Sequence, residues 1–197
     1  MTSIRQMGPR DLLHFNTCNL DRLTETYNIG FYIEYFTKWP ELCLVVEDKH
    51  GRIEGYILGK IESSPYPPPR TYVPSESYFR SPRSQGQNYL PLHVHVTCLT
   101  VAPAARRRGH ARKLTSALEK HGDAKGAWFV DLFVRKSNAA AIRLYEGMGY
   151  SVWRTVRGYY GDGEDAWDMR KPLRRDAERQ TVREGGKEAV VDPAEVW

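Results

Sequence analysis

One continuous stretch, residues 93–121, limits the possible folds of this chain more than any other. Residues 93–101 form a run rich in apolar and β-branched side chains that predicts a strand. A short turn with proline and glycine follows. Small and apolar residues then recur at helical spacing up to residue 121, which predicts an amphipathic helix over 107–121. A strand that passes into a helix through so short a turn is typical of proteins in which helices pack on a sheet.

The rest of the chain alternates between the same two patterns. Apolar runs predict further strands at residues 2–7, 42–46, 53–61, 128–134, 150–156 and 166–171. Helical spacing predicts helices at residues 11–17, 28–39 and 138–147. The expected fold class is α/β with a mixed α+β sheet: one domain over residues 1–172 in which helices flank a single central sheet.

Two segments depart from this pattern. Residues 63–92 contain seven of the chain's 12 prolines and show no periodicity, which predicts a proline-rich surface insertion. Residues 173–197 are rich in charge and poor in apolar side chains, which predicts a solvated, partly disordered tail.

Composition narrows the class of function. The chain has 197 residues, and its net charge of +5 favours an anionic ligand or surface without choosing between nucleic acid, ribosome and a polyphosphate cofactor. Cys18, Cys43 and Cys98 form no CxxC pair, which excludes a zinc site of that kind and suits a reducing compartment. The first residues lack the apolar core of a signal peptide, and no run of about 18 apolar residues occurs. A cytoplasmic protein without a membrane span is expected.

The turn before the helix at 107–121 has the properties of an anion site. A helix N-terminus carries unpaired backbone N–H groups and partial positive charge. Gly109 and Ala111 allow close approach to the backbone, while Arg106–Arg108 add a charge that is unfavourable there unless an anion balances it. A solvated arginine face is the alternative explanation. The spacing matches neither a nucleoside triphosphate loop nor a dinucleotide fingerprint.

Arg-x-x-Gly-x-Ala at residues 106–111, after a strand that ends Leu-Thr-Val-Ala-Pro, resembles the pyrophosphate-binding signature of the GNAT acetyltransferase superfamily. Residues 138–150 are similar to a second element of that superfamily. The resemblance implies the GNAT fold with acetyl-CoA as co-substrate. It also implies the cofactor-binding set Leu99, Thr100, Val101, Arg106, Arg107, Arg108, Gly109, His110, Ala111, Asn138 and Tyr145. Asn138 is in addition well placed as a helix N-cap.

Several stretches within residues 1–177 resemble, more narrowly, the catalytic subunits of N-terminal acetyltransferase B (NatB) complexes: residues 19–27, 95–97, 130–135, 159–160 and 168–171. This implies acetyl transfer to the α-amino group of nascent protein N-termini that begin Met-Asp, Met-Glu, Met-Asn or Met-Gln. It also implies a large helical auxiliary subunit that docks on the first two helices and links the enzyme to ribosomes. No direct nucleic-acid contact and no membrane contact are expected. Cys98 stands where this group usually has alanine, and we expect it to pack rather than react.

The NatB resemblance further implies a substrate-binding set: Glu25, Tyr27, His95, Thr97, Tyr159 and Tyr160. His95 and Thr97 are two residues apart on one strand, so their side chains share a face. An imidazole and a hydroxyl suit the acidic or amide side chain that follows the initiator Met.

Three residues are the expected catalytic groups. Tyr145 would protonate the departing thiolate, and Glu25, a tyrosine or His95 would take up the amine proton through an ordered water, with no choice among the three. The reaction requires neither a metal nor a covalent enzyme intermediate. Two alternatives stay open: a GNAT enzyme that acts on a lysine side chain or a small amine, and a nucleic-acid-binding module with a degenerate GNAT fold.

Overall fold

The computed structural model describes residues 2–20, 24–65 and 89–196. The strands are β1 (Ser3–Gln6), β2 (Cys43–Glu47), β3 (Ile53–Glu62), β4 (His93–Val101), β5 (Phe129–Arg135), β6 (Ser151–Val156), β7 (Ala166–Pro172) and β8 (Val190–Val191). The α-helices are α1 (Ile29–Lys38), α2 (His110–Ala124) and α3 (Ala139–Glu146).

The eight strands form one sheet in the order β1-β2-β3-β4-β5-β7-β6-β8. The pairs β1–β2, β2–β3, β5–β7 and β6–β7 are antiparallel, and β6–β8 is parallel. The expected mixed sheet with flanking helices is therefore confirmed. Among the described residues, no helix has the length and apolar character needed to cross a membrane.

The helix expected at residues 11–17 is wrong. Two 3-10 turns, Pro9–Leu13 and Asn16–Cys18, occupy this region. The apolar residues do not form a helical stripe, since Leu13 is 78% exposed while Phe15 is buried. Asp11 also fixes a tight turn, because its carboxylate accepts the Gly8 N–H at 2.8 Å and binds Arg5.

One compact unit comprises the described residues 2–20, 24–61 and 95–121. Helix α1 begins at the N-cap Asn28, whose side chain accepts the Phe31 N–H at 3.0 Å, and it ends before Pro40. The helix buries Tyr32 and Tyr35 in the core of this unit. The aromatic stripe on α1 is thus largely explained by packing within the unit.

A second compact unit comprises the described residues 62–65, 89–94 and 122–196. Its strands β5, β6 and β7 carry a buried charge group. Asp168 accepts a hydrogen bond from Arg154 at 2.8 Å, and the Arg170 guanidinium lies 4.4 Å from each of the Phe129 and Trp153 ring centroids. The carboxylate and the aromatic faces compensate the burial of the arginines.

Most of the predicted insertion at residues 63–92 lies outside the described residues. Its two ends are joined within the second unit. The Ser64 N–H donates to the Leu90 carbonyl oxygen at 2.8 Å, and the Leu90 N–H donates to the Ser64 hydroxyl oxygen at 2.7 Å. We refer to this pair of bonds as the Ser64–Leu90 clasp.

The disordered tail expected at 173–197 is not what the structure shows for residues 173–196. The Leu173 N–H donates to the Trp128 carbonyl oxygen at 2.8 Å, and Asp176 accepts the N–H groups of Gln180 and Thr181. Strand β8 then pairs with β6. The segment is held by backbone and capping hydrogen bonds and by a few scattered apolar residues such as the buried Leu173 and Val196, which show no periodic pattern in the sequence.

Candidate active site

The turn between β4 and α2 presents backbone N–H groups on an open side. Arg107 and Gly109 adopt left-handed backbone conformations, with φ of 64° and 82°. A Cβ at Gly109 would meet no atom within 4 Å. Within the described chain, the N–H groups of Gly109, His110 and Ala111 have no backbone acceptor. Such a set of donors at a helix N-terminus fits a pyrophosphate. We call residues 107–111 the N–H cradle.

Glu54 on β3 fixes the position of this cradle. Its Oε2 lies 2.9 Å from Nε2 of the buried His110, and its Oε1 lies 2.5 Å from Nη1 of Arg108. The predicted cofactor residues His110 and Arg108 thus direct their side chains to Glu54, which leaves the His110 backbone N–H to face a ligand. The side chains of Arg106 and Arg107 are exposed, although Nε of Arg106 also donates to the Val101 carbonyl oxygen at 3.3 Å. Glu54 has no sequence signal that links it to the turn.

The end of β4 alternates between buried and partly exposed side chains. Leu99 and Val101 are partly exposed, whereas Cys98 and Thr100 are buried. The Thr100 hydroxyl donates to the Cys18 carbonyl oxygen at 2.9 Å, so its side chain supports the core. Burial raises the pKa of Cys98 to about 12, and its thiol lies 3.7 Å from the Tyr56 hydroxyl. A thiol with so high a pKa packs and does not act as a nucleophile.

His95 and Thr97 lie two residues apart in β4, on one face of the strand. His95 is 7% exposed, and the Thr97 Oγ1 lies 2.8 Å from the Tyr35 hydroxyl of α1. Tyr35 was not among the predicted site residues, because its spacing marks it only as a core residue of α1. Its contact with Thr97 is a feature of the fold that sequence periodicity does not reveal.

The loop before α1 carries the other acceptor residues expected in this unit. Tyr27 stacks on Phe31 with ring centroids 4.1 Å apart, and its backbone N–H donates to the Tyr32 hydroxyl at 3.4 Å. Glu25 is exposed. The loop is therefore anchored to α1 through Tyr27 and leaves the Glu25 carboxylate accessible to solvent.

In the second unit, α3 begins at Asn138, whose side chain accepts the Ala141 N–H at 3.1 Å. The expected N-cap is confirmed. Tyr145 lies two turns further along, is 6% exposed and has its ring centroid 5.4 Å from that of Tyr150. Burial and ring packing leave the Tyr145 side chain little freedom to change its position.

The loop between β6 and β7, which we call the tyrosine loop, carries Tyr159 and Tyr160, and both rings pack against side chains of β5. Tyr159 stacks on Phe133 at 4.6 Å, and the Arg135 guanidinium lies 3.8 Å from the Tyr160 ring centroid. Arg135 also binds Asp162 at 2.8 Å and Glu164 at 3.0 Å.

Glu164 connects Arg135 to the chain before α3, because its carboxylate also accepts the Ser137 N–H at 2.8 Å. The bonds from Ser137 and Arg135 hold the pKa of Glu164 below its ordinary value. Glu164 therefore stays ionised at neutral pH and ties the tyrosine loop to the segment between β5 and α3. Neither Arg135 nor Glu164 carries a sequence signal that indicates this role.

Comparison with known proteins identifies the fold family. The sequence profile of the acetyltransferase (GNAT) family matches residues 12–150. The chain belongs to this family. The GNAT match includes β4, the N–H cradle, α2 and α3, so it covers the residues that the signature at 106–111 predicted.

More similar proteins point to one group within the GNAT family. The catalytic subunit of the N-terminal acetyltransferase B complex of Schizosaccharomyces pombe is 45% identical over 202 residues, which cover 100% of this chain and 99% of that protein. The crystal structure of Chaetomium thermophilum Naa20 in complex with a bisubstrate analogue has a TM-score of 0.85 and 50% identity, with 99% of both chains covered. A structure of the NatB acetyltransferase complex bound to a bisubstrate inhibitor has a TM-score of 0.77 and 35% identity, also with 99% of both chains covered.

The GNAT chain is therefore an N-terminal (N-alpha) acetyltransferase of the NatB catalytic-subunit group. In the described parts of the chain, no three His, Cys, Asp or Glu side chains are grouped so as to hold a metal ion.

Proposed function

We propose that this chain is the catalytic subunit of a cytoplasmic NatB-type complex. It would transfer the acetyl group of acetyl-CoA to protein N-termini that begin Met-Asp, Met-Glu, Met-Asn or Met-Gln. The observation that carries the proposal is the 45% identity to a NatB catalytic subunit in an alignment that covers the whole chain. The three cysteines are all free and buried, which agrees with a reducing compartment.

The N–H cradle would bind the pyrophosphate of acetyl-CoA, and the exposed side chains of Arg106 and Arg107 would add positive charge. Backbone groups of Leu99–Val101 would lie along the donor, because the side chain of Thr100 is engaged with Cys18. Acetyl-CoA supplies the acetyl group as a thioester.

His95 and Thr97 would read the residue after the initiator Met. The Tyr35 hydroxyl, 2.8 Å from Thr97 Oγ1, would fix the direction in which the threonine hydroxyl points. A hydroxyl and an imidazole held in this way favour a side chain that carries oxygen. An aliphatic side chain would leave these polar groups without hydrogen bonds, which costs binding energy.

Proton transfer would need two groups: one that takes up the proton of the amine and one that protonates the departing thiolate. An α-amino group has a pKa of about 8, so roughly a tenth is neutral at pH 7 and only a weak base is needed. Glu25 is exposed and can exchange protons with solvent, whereas the buried His95 would need an ordered water. The buried Tyr145 hydroxyl would donate the proton that the departing thiolate takes up.

A helical auxiliary subunit would cover exposed aliphatic residues on the first unit and link the enzyme to ribosomes. Leu13, Leu20 and Ile29 are exposed by 78%, 76% and 71%. Ile29 and Ile33 are four residues apart and share one face of α1. Large exposed aliphatic side chains on neighbouring elements are typical of a surface that another protein covers.

The decisive experiment measures acetyl transfer to Met-Asp, Met-Lys and Ser-Glu peptides, and to an N-terminally blocked peptide with an internal lysine. Each is tested with the chain alone and with its co-expressed auxiliary subunit. We expect transfer to Met-Asp to dominate and to increase with the auxiliary subunit. Preferred transfer to the internal lysine would replace this proposal with the lysine-acetyltransferase alternative.

A further inference from the structure

We infer that Val191 and Val196, in the C-terminal segment, are positioning residues for Tyr159 and Tyr160 and thereby set the affinity of the enzyme for its peptide substrate. The inference rests on the proposed function, because the NatB resemblance on which that function is based implies that Tyr159 and Tyr160 belong to the peptide-binding set. All of the residues concerned lie within the second compact unit.

The C-terminal segment is attached along β6, the strand that leads into the tyrosine loop. The Thr155 N–H donates to the Ala189 carbonyl oxygen at 2.8 Å, and the Arg157 N–H donates to the Val191 carbonyl oxygen at 3.0 Å. The Thr155 hydroxyl donates to the Lys187 carbonyl oxygen at 2.8 Å. Three hydrogen bonds therefore fix the position of β8 against the last residues before the loop.

The segment reaches β6 at a place where only glycine fits. A Cβ added at Gly186 would clash with the carbonyl group of Val152, so the backbones of the two segments are in direct contact. Upstream, the Asp176 carboxylate accepts the N–H of the buried Thr181 at 2.8 Å. Anchors at 176–181 and at 186 determine where the rest of the segment lies.

Val191 and Val196 join the apolar cluster that supports the tyrosines. Val156, Ala166 and Val196 form its buried centre, and Phe133, Tyr159, Tyr160 and Val191 pack against it. The rings of Tyr159 and Tyr160 meet edge to face at 5.1 Å. The tyrosine loop is thus held by two sets of contacts, the ion pairs of Arg135 and an apolar cluster to which the C-terminal segment contributes.

Strand β8 provides its own matched control. Val190 and Val191 are adjacent, so their side chains point to opposite sides of the strand. Val190 is 49% exposed, whereas Val191 packs against the cluster. Val191→Asp places a charge in the cluster, and Val190→Asp places the same charge on the surface of the same strand.

The experiment uses the full chain with its auxiliary subunit and compares wild type, Val191→Asp, Val190→Asp and the conservative Val191→Ile. It measures kcat and KM for a Met-Asp peptide, the Kd of acetyl-CoA and the melting temperature. We expect Val191→Asp to lower kcat/KM for the peptide by about 10–100-fold, mainly through KM, because a displaced binding residue costs that much. Acetyl-CoA affinity should stay within about twofold, and Val190→Asp should resemble wild type, as is usual for surface changes. Val191→Ile adds one methylene at a partly exposed position and keeps an apolar side chain in the cluster, so it should also resemble wild type.

Equal peptide KM values for Val191→Asp and Val190→Asp would overturn the inference. So would parallel losses of acetyl-CoA affinity and peptide affinity, which would indicate a general structural defect. Should Val191→Asp not fold, Val191→Ala in a Tyr159→Ala background replaces it. There the effects on peptide KM should be non-additive, and additive effects would refute the coupling.

Measurements on the wild-type protein distinguish a failure of this inference from a failure of the proposed function. If wild type acetylates none of the N-terminal peptides, the proposed function fails and the inference falls with it. If wild type is active but its peptide KM is insensitive to Val191, only the inference fails.

Discussion

The Nε2 atom of His110 lies 2.9 Å from the Oε2 atom of Glu54, and this buried pair joins the first residue of α2 to strand β3. The same carboxylate binds Arg108. Two residues of the signature at 106–111 therefore contact one acid, Arg108 through an ion pair and His110 through a short contact that lacks hydrogen-bond geometry.

Replacing Glu54 with Gln should loosen this turn and weaken acetyl-CoA binding. We expect the Kd of acetyl-CoA to rise about tenfold, which corresponds to ~1.4 kcal/mol, while the KM of the peptide changes little. Isothermal titration calorimetry measures the first quantity. Glu34→Gln, in an exposed ion pair with Lys38 on α1, is the control and should leave both constants unchanged. A tight acetyl-CoA complex with the Glu54 variant would show that the turn holds its shape without the pair.

Replacing Gly109 with Glu should abolish the thermal stabilisation that acetyl-CoA gives. The new side chain puts a negative charge in the N–H cradle, where the pyrophosphate would bind. Gly51→Glu is a matched control, since Gly51 also has a positive φ, 76°, and open space around a Cβ. Both variants should lose about 1–2 kcal/mol from backbone strain. Only the Gly109 variant should show no thermal stabilisation by acetyl-CoA. Full stabilisation of that variant would show that the N–H cradle is not part of the acetyl-CoA site.

Replacing Tyr145 with Phe keeps the packed ring and removes only the hydroxyl. If this group protonates the departing thiolate, kcat should fall by about 10²–10⁴-fold with little change in the melting temperature. Single-turnover kinetics isolates the chemical step. Tyr150→Phe removes a hydroxyl from the neighbouring ring and should affect stability rather than kcat. An undiminished single-turnover rate in the Tyr145 variant would assign the proton transfer to another group.

Replacing His95 with Ala should reduce the preference for Met-Asp over Met-Leu peptides. Wild type should discriminate between them by orders of magnitude in kcat/KM, because a polar site left without hydrogen bonds penalises the aliphatic peptide. The variant should lose most of this ratio and keep its affinity for acetyl-CoA. Equal losses for both peptides would mean that His95 supports the fold or the chemistry instead of the choice of substrate.

Acid should weaken the N-terminal turn through Asp11. Hydrogen bonding from Arg5 holds the pKa of Asp11 below its ordinary value of 3.8. A carboxylate with a lowered pKa stabilises the folded state above that ordinary value, and the stabilisation is lost as the pH falls below it. Asp11→Asn should therefore lose less stability than wild type as the pH falls from about 5 to about 3, a range that brackets the ordinary pKa of 3.8. Chemical denaturation across this range measures the difference, and identical slopes would contradict it.

Much of the fold was predictable because its signals are local. The turn before α2 combines Gly109 with arginines over a few residues, and α1 shows its aromatic stripe within ten residues. Glu54 could not be connected to His110 in this way, since nothing in a glutamate 56 positions upstream indicates its partner. The segment after residue 173 was misjudged for a related reason. It is held by backbone hydrogen bonds to β6, by one tightly packed glycine and by two valines in the apolar cluster, and none of these contacts produces a hydrophobic periodicity.

The Ser64–Leu90 clasp has a consequence for how this enzyme can vary and be engineered. Two hydrogen bonds hold the ends of the intervening chain together within the second unit, whatever lies between them. The free-energy cost of closing a loop rises by only about 0.6 kcal/mol for each doubling of its length. With its ends held by the clasp, a change in the number of residues between Ser64 and Leu90 should therefore alter this free-energy cost by only a small amount. A fluorescent reporter or an affinity tag inserted there would leave both chain ends unmodified.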